Sequence, residues 1–414
     1  MRLKVLAFPS AAGASAASAL WTFPSILASA FVIAWGAEAA QFLVAQGLAL
    51  AVLAWLQTLP EFAVEAVIAW DAGRDPERAR LAIANLTGAI RLLIGLGWPL
   101  TYLVFTVAGG RKAAARLPFI RLEPEHAVEV AGLLPPLLYF GLILLKGRFS
   151  WIDAVVLCTC YAGYLVLLFR SPPRAVETLA DAPAVSRWAY RQRGWRQKAA
   201  IALLFGGGGA LLYASAQPFF ESLLAVAGLL GVSQFALVQW LAPFLSELPE
   251  LLSALSWARR ARQAPLALMN LVSSTINQWT VLAAMIPLVY GYSTLRHHGV
   301  WLDFRFDGTQ RLEILVTLLQ TAVGLMLLAS MAFGAREAGL LFVLWLAQLL
   351  RPGLGEAAAA GYALWLAVLA VQVVSGRRAL DAPRLLWDIV RRRDRPAPQQ
   401  RGPADRHIRN GEDY

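Results

Sequence analysis

The sequence predicts an all-α transmembrane fold of ten or eleven helices in two inverted-topology repeats. Three observations predict it. Apolar residues make up 58% of the 414 and charged residues only 15%, whereas a soluble globular chain runs near ~45–50% and ~25%. Apolar runs of roughly 18–25 residues, each able to cross a ~30 Å hydrocarbon core, recur almost from end to end, and the mean hydropathy is +0.56. Finally, a short Pro-Glu motif occurs twice inside such runs, as Leu59-Pro60-Glu61 and Leu248-Pro249-Glu250.

Arg2 and Lys4 open the chain, but the apolar run after them is cut by Pro9 and a Ser/Ala/Gly tract, so the first span is expected near residue 20 and no cleaved signal peptide is read here. The first repeat, 20–170, carries runs at about 20–43, 46–70, 80–107, 127–146 and 150–170. A basic linker at 171–198 follows, with Pro172, Pro173, Pro183 and many Arg. The second repeat, 199–375, carries runs at about 199–219, 232–257, 265–291, 311–333, 337–350 and 355–375. The remainder, 376–414, is rich in Arg, Pro and Gln and reads as a basic, disordered tail.

The formal net charge of +11 follows from topology. With the N-terminus outside, the loops on the inner side hold Arg111, Lys112, Arg116 and Arg121, then Arg187, Arg191, Arg193, Arg196 and Lys198, then Arg259, Arg260 and Arg262. The outer loops are balanced: Asp71, Asp75 and Glu77 offset Arg74, Arg78 and Arg80, while Asp303 and Asp307 offset Arg305. That asymmetry is the positive-inside pattern of a multi-pass protein, and no nucleic acid partner is implied. With 4 His and 2 Cys, metalloenzyme, haem and disulfide-scaffold classes lack their residues. No phosphate-loop, zincin or serine-elbow motif occurs.

The duplicated element is where the chemistry lies. Gln57-Thr58-Leu59-Pro60-Glu61-Phe62 matches Ser246-Glu247-Leu248-Pro249-Glu250-Leu251, and each is followed by Leu-Ala-x-x-Asn-Leu, ending at Asn85-Leu86 and Asn270-Leu271. The interval is 24 positions from Glu61 to Asn85 and 20 from Glu250 to Asn270. With five spans between the copies, their orientations are opposite, as in many secondary transporters. Each Pro is expected to break its helix and free carbonyls that lipid cannot satisfy. A carboxylate at membrane depth costs ~2.5–3.5 kcal/mol, so two symmetric ones point to a cation. Neighbouring Asn, Ser and Thr oxygens would complete its shell.

At these residues the chain resembles the cation/calcium exchanger superfamily, which includes the sodium/calcium exchangers. Its repeats carry a Gly-Thr-Ser-Leu-Pro-Glu type motif and then a Gly-Asn-x-x-Gly-Ser-Asn type helix. The likeness covers about 35–100 and 225–290, including the lead-in Gly231-Val232-Ser233-Gln234-Phe235. It implies ligand roles for Glu61 and Glu250, with Asn85, Asn270, Ser273, Ser274, Asn277, Thr58 and Ser246 as further oxygens; the register leaves open which Ser serves and whether Asn277 or Gln278 takes the last place. The chain departs from the pattern at Leu56, Leu245, Ala89 and Glu247, and in adding Glu65 one turn after Glu61. Arg91 falls at or beside the last ligand position of the first repeat. Two readings apply: a guanidinium pairing with Glu61 or Glu65 in place of a monovalent cation, or a helix-end Arg snorkelling to the interface.

The resemblance implies a secondary active cation antiporter moving Ca2+ or another cation by alternating access against Na+ or H+. It implies no catalysis, no cofactor beyond the transported cation, and no partner other than inorganic cations and the lipid bilayer. The expected location is the inner membrane of a bacterial-type cell, as an integral multi-pass protein. A non-exchanging cation channel, a transport-inactive family member and, less well supported, a membrane-embedded lipid enzyme are the alternatives. Cys158 and Cys160 are read as packing residues, Gly206–Gly209 as a close helix contact, and His297-His298 as an outer-loop pair.

Overall fold

The computed structural model describes residues 15–43, 58–108, 119–170 and 182–391. The start of the second expected span, Leu56 and Gln57, the basic stretch at Arg111, Lys112 and Arg116, much of the linker and the tail beyond 391 lie outside the described residues. Helix α1 spans Ala19–Gln41, α2 Leu59–Arg74, α3 Ala79–Leu92, α4 Trp98–Ala108, α5 Ala127–Gly132, α6 Leu134–Lys146 and α7 Trp151–Arg170. After α8 (Ala184–Arg191) come α9 Trp195–Leu230, α10 Gln234–Ala258, α11 Ala264–Asn277, α12 Ala283–His298, α13 Gly308–Leu328, α14 Ala335–Leu350, α15 Gly355–Val374 and α16 Asp381–Arg391. Helices α6, α9 and α12 end on Gly147, Gly231 and Gly299 in the left-handed conformation that closes a helix without steric cost.

By length and hydropathy alone, eight helical stretches qualify as membrane spans, which makes this an integral multi-pass membrane protein. Two of them, 76–108 and 264–298, are continuous through a π-helical turn, at Leu93–Gly97 and Gln278–Leu282. Each turn begins eight residues after the Asn of its repeat. The remaining passes are α2 and α14, of 16 residues each, and α10, which carries Glu247 and Glu250. Together they make eleven helical passes among the described residues.

Two small strand pairs check that count. Strand β1 (Ile120–Arg121) pairs antiparallel with β4 (Ala332–Phe333), and β2 (Arg148–Phe149) with β3 (Phe304–Arg305). Paired strands must lie on one side of the membrane, so an even number of passes must separate them. Six passes separate β1 from β4 and four separate β2 from β3. The two pairs are equivalent under the inverted repeat, since β1 and β3 precede the fourth and ninth passes while β2 and β4 follow them. The loops at 187–198 and 259–262 fall on the β1/β4 side, as the charge asymmetry requires.

Three expectations change. The sixth span does not end at 219: α9 runs 36 residues from Trp195 through Pro218 to Leu230, because the Leu/Ala run after Phe220 continues the helix. The linker is partly helical, with Ser186 of α8 donating to Glu38 of α1 at 3.0 Å. The tail is ordered as far as α16, whose Asp381 backbone N–H reaches Ala329 O at 2.9 Å while Arg378 donates to Leu327 O at 2.9 Å. Its Leu385, Leu386 and Ile389 pack on the core, so an amphipathic segment with a docking face escapes the disorder its composition suggests.

Helices α1 and α9 lie along one another, joined by a 2.7 Å contact between the Thr22 and Ser222 hydroxyls and an edge-on Phe23–Phe219 pair. Of Gly206–Gly209, only Gly208 is at a close approach, where a Cβ would come within 2.8 Å of Ile33. The pair packs across α2 and α10, the helices that carry the duplicated motif.

Candidate functional site

The duplicated motif builds two different local structures. In the first repeat Pro60 sits in the opening turn of α2, where its missing N–H costs nothing. In the second, Pro243 and Pro249 lie inside α10, which continues through both, so the expected break at Pro249 does not occur. Pro243 withholds the donor that would bond Gln239 O. Gly88 of α3 backs onto that carbonyl, and a Cβ there would stand only 1.8 Å from the Gln239 oxygen. A glycine in the Asn helix thus lets α3 meet α10.

Across this contact the two motifs meet. Glu61 is 2% exposed, and its Oε2 accepts from Gln278 Nε2 at 3.3 Å. The same Gln278 Nε2 donates to Glu247 Oε1 at 2.6 Å, and the Glu61 and Glu247 carboxyls meet each other. Glu250 accepts from Asn270 Nδ2 at 3.1 Å and from Ser274 Oγ at 3.0 Å. Asn277 Nδ2 reaches back to Thr58 Oγ1 at 2.8 Å. The π turn that begins at Gln278 under-winds this helix locally, and Asn277 and Gln278 face the first repeat.

Asn85 goes elsewhere. Its Nδ2 donates to Glu65 Oε2 at 2.7 Å, not to Glu61, because the four extra residues between Glu61 and Asn85 move the Asn one turn along α2. Ser273 turns outward to Tyr164 Oη at 2.9 Å, which assigns the inward position to Ser274. The Ser246 hydroxyl bonds back to Ala242 O and Pro243 O, both at 3.2 Å, a local use that keeps it from the centre.

Arg91 fits neither expectation. At 2% exposure it does not snorkel, and it pairs with Glu313 of α13 rather than Glu61 or Glu65. Its Nε donates to Thr317 Oγ1 at 2.9 Å and its Nη1 to Gln348 Oε1 at 3.1 Å, with Trp240 5.8 Å from the guanidinium. Gln239 Nε2 bonds the same Glu313 carboxylate at 2.7 Å. The face of α3 explains this: six residues past Asn85, Arg91 points toward α13 and away from α2. Sequence reading missed the network, although Glu313 inside an apolar run signalled a buried partner.

The four carboxylates of Glu61, Glu65, Glu247 and Glu250 are therefore buried with no Lys or Arg paired to them among the described residues. Five buried oxygens here, Glu61 Oε1, Glu65 Oε1, Asn85 Oδ1, Asn277 Oδ1 and Gln278 Oε1, accept no hydrogen bond from the described residues. Among the described residues no three acidic, His or Cys side chains converge within metal-ligating reach, so the oxygens gathered here are carboxylate, amide and hydroxyl together.

An all-helical inverted repeat that buries acidic and amide oxygens where its two halves meet defines a membrane protein of the ion-handling class. The chain belongs to the sodium/calcium exchanger protein family, whose model matches residues 13–170 and 200–352. Its structure is similar to that of the H+/Ca2+ exchanger CAX, with a TM-score of 0.82 and 29% identity over 92% of this chain and 93% of that one. It also shares its fold with the sodium-calcium exchanger NCX_Mj soaked with Na+ and Sr2+, at a TM-score of 0.51 and 17% identity over 80% of this chain and 96% of that one. No curated protein matches the chain.

Proposed function

We propose that this protein is a secondary active antiporter that moves Ca2+, or another cation of that kind, against H+ or Na+ by alternating access. One observation carries the reading: among the described residues, Glu61, Glu247 and Glu250 are buried together without a basic partner, beside acceptor oxygens of Glu61, Asn277 and Gln278 that receive no donor. Buried acceptors are almost always satisfied, and a hard cation is the partner that bare oxygens suit. The likeness to the H+/Ca2+ exchanger CAX supports H+ as the counter-ion.

In this mechanism Glu61 and Glu250 bind the cation between the repeats, helped by Asn270, Ser274, Asn277 and Thr58. Their charge is uncompensated when the ion leaves, so the empty centre recruits the counter-ion, and competition for the same carboxylates couples the two fluxes. The α1–α9 pair, packed across α2 and α10, is placed to expose the centre to each side in turn. The carboxylates form no covalent bond with the cargo, which makes the protein a transporter and not an enzyme, and the bacterial-type inner membrane is its proposed location.

The test is Ca2+ uptake into proteoliposomes under an imposed H+ gradient and then a Na+ gradient. Wild type is expected to take up Ca2+ with one of them, and Glu61→Gln and Glu250→Gln each to lose about a hundredfold or more. Uptake that needs no counter-ion would replace the exchanger with a channel. Absence of uptake under both gradients would overturn the reading for Ca2+.

A further inference from the structure

We infer that Glu65 and Asn85 form a second cation site, one helical turn along α2 from Glu61, which takes one monovalent metal cation of the Na+ class. Its use as a transported charge rests on the exchanger reading; its existence as a binding site does not.

Glu65 is fully buried and Asn85 is 1% exposed. One hydrogen bond joins them, from Asn85 Nδ2 to Glu65 Oε2 at 2.7 Å, and it leaves Glu65 Oε1 and Asn85 Oδ1 without a donor. Both atoms are oxygens on a bonded pair of side chains, and an unsatisfied buried acceptor bears the full cost of its desolvation. The obvious internal donor, Arg91 on the same helix as Asn85, is spent on Glu313. A cation held between the two oxygens satisfies both at once.

The pair is separate from the Glu61 centre in origin as well as in place. The second repeat puts Asn270 on Glu250, 20 positions apart. The first repeat keeps the same spacing of 20 for its own hydrogen-bonded pair, but the acid there is Glu65. The residue of α10 equivalent to Glu65 is Ala254, buried and apolar, so the second repeat has no matching site. The ion's charge follows from the donors. A single carboxylate balances one positive charge, whereas divalent ions recruit more carboxylate charge, which the neighbouring Glu61, Glu247 and Glu250 supply. Six residues beyond Glu65, Asp71 lines a cleft of about 350 Å3 with Arg74, Asp75, Arg78 and Glu221, so the helix that bears the site ends at an open polar cleft.

The experiment measures binding of radiolabelled Na+ to the purified full chain, with and without saturating Ca2+, together with radiolabelled Ca2+ binding. Wild type is expected to keep a component of Na+ binding that Ca2+ does not displace. Glu65→Gln is expected to lose that component by at least about tenfold with its Ca2+ affinity unchanged. Asn85→Asp, which adds a charge to the same pair, is expected to tighten Na+ binding, a gain that misfolding cannot imitate. Absence of Ca2+-resistant Na+ binding in wild type, its survival in Glu65→Gln, an equal loss of Ca2+ affinity in that variant, or an Asn85→Asp variant with unaltered Na+ affinity would each overturn the site. A wild type that binds Na+ in this way yet carries no Ca2+ in liposomes would keep the site and remove the exchanger reading.

Discussion

In the second repeat Glu250 takes both of its hydrogen bonds from the helix that follows it, Asn270 and Ser274. In the first, Glu61 receives nothing from its own following helix. Its donor is Gln278, contributed by the second repeat from 217 positions away, while Asn85 serves Glu65 instead. The two halves descend from one pattern yet share the labour unequally: one supplies a self-contained acidic site, and the other supplies an acid that is completed across the interface. The cause is small. Four extra residues between α2 and α3 shift one Asn by a turn, and Gln278, at the start of a π turn that both repeats share, donates to Glu61 of the first repeat.

That comparison breaks most sharply at the carboxylates. Glu250→Gln is expected to weaken Ca2+ binding by about a hundredfold or more, because it removes a carboxylate whose two oxygens are already oriented by two donors. Calorimetric Ca2+ titration checks this, and a residual affinity close to wild type would mean that the second half-site is not the anchor.

The next effect in size is on folding. Arg91 and Glu313 join the third pass to the ninth deep in the protein, and removing one member of a buried pair costs about 3–5 kcal/mol by stranding the other charge. Arg91→Met should therefore lower the thermal unfolding temperature in detergent strongly, and the double variant Arg91→Met/Glu313→Gln should recover part of the loss. An Arg91→Met protein as stable as wild type would show that the network tolerates an isolated Glu313.

A smaller loss is expected at the helix contact that brings the halves together. Gly88→Ala places a methyl group against Gln239 O, and such overpacking costs about 1–3 kcal/mol. The same thermal measurement reads it, with Gly209→Ala, whose Cβ would meet nothing within 4 Å, as the comparison. Smallest of all is the choice between adjacent serines. Ser274→Ala removes a donor to a carboxylate and is expected to raise the half-saturating Ca2+ concentration about tenfold, while Ser273→Ala, whose hydroxyl bonds Tyr164, should leave it within about twofold. Equal effects would undo the assignment of the inward position.

Much of this was legible in the sequence, for reasons that differ by element. Glu61 and Glu250 stood out because an acid in an apolar run is costly enough to need a purpose, and their repetition made coincidence implausible. The passes could be counted as ten or eleven because lipid forces each to be long, apolar and helical. Ser273 and Ser274 could not be separated, since a register error of one residue swings a helical side chain by about 100°. Arg91 was visible as an anomaly but not as a pair, because its acid lies 222 positions away in a pass that hydropathy reads as ordinary.

By itself, then, the sequence determined that the chain lives in a membrane, crosses it in two inverted halves, and carries an acidic motif in each. Solvent decides those properties, and hydropathy and repetition record them locally. Only the tertiary structure decided which acid each Asn serves, that Gln278 bridges Glu61 and Glu247, and that Arg91 neutralises Glu313. Those outcomes depend on helix faces and on a one-turn offset between passes far apart in the chain, where a few residues of connection change the partner without changing the composition.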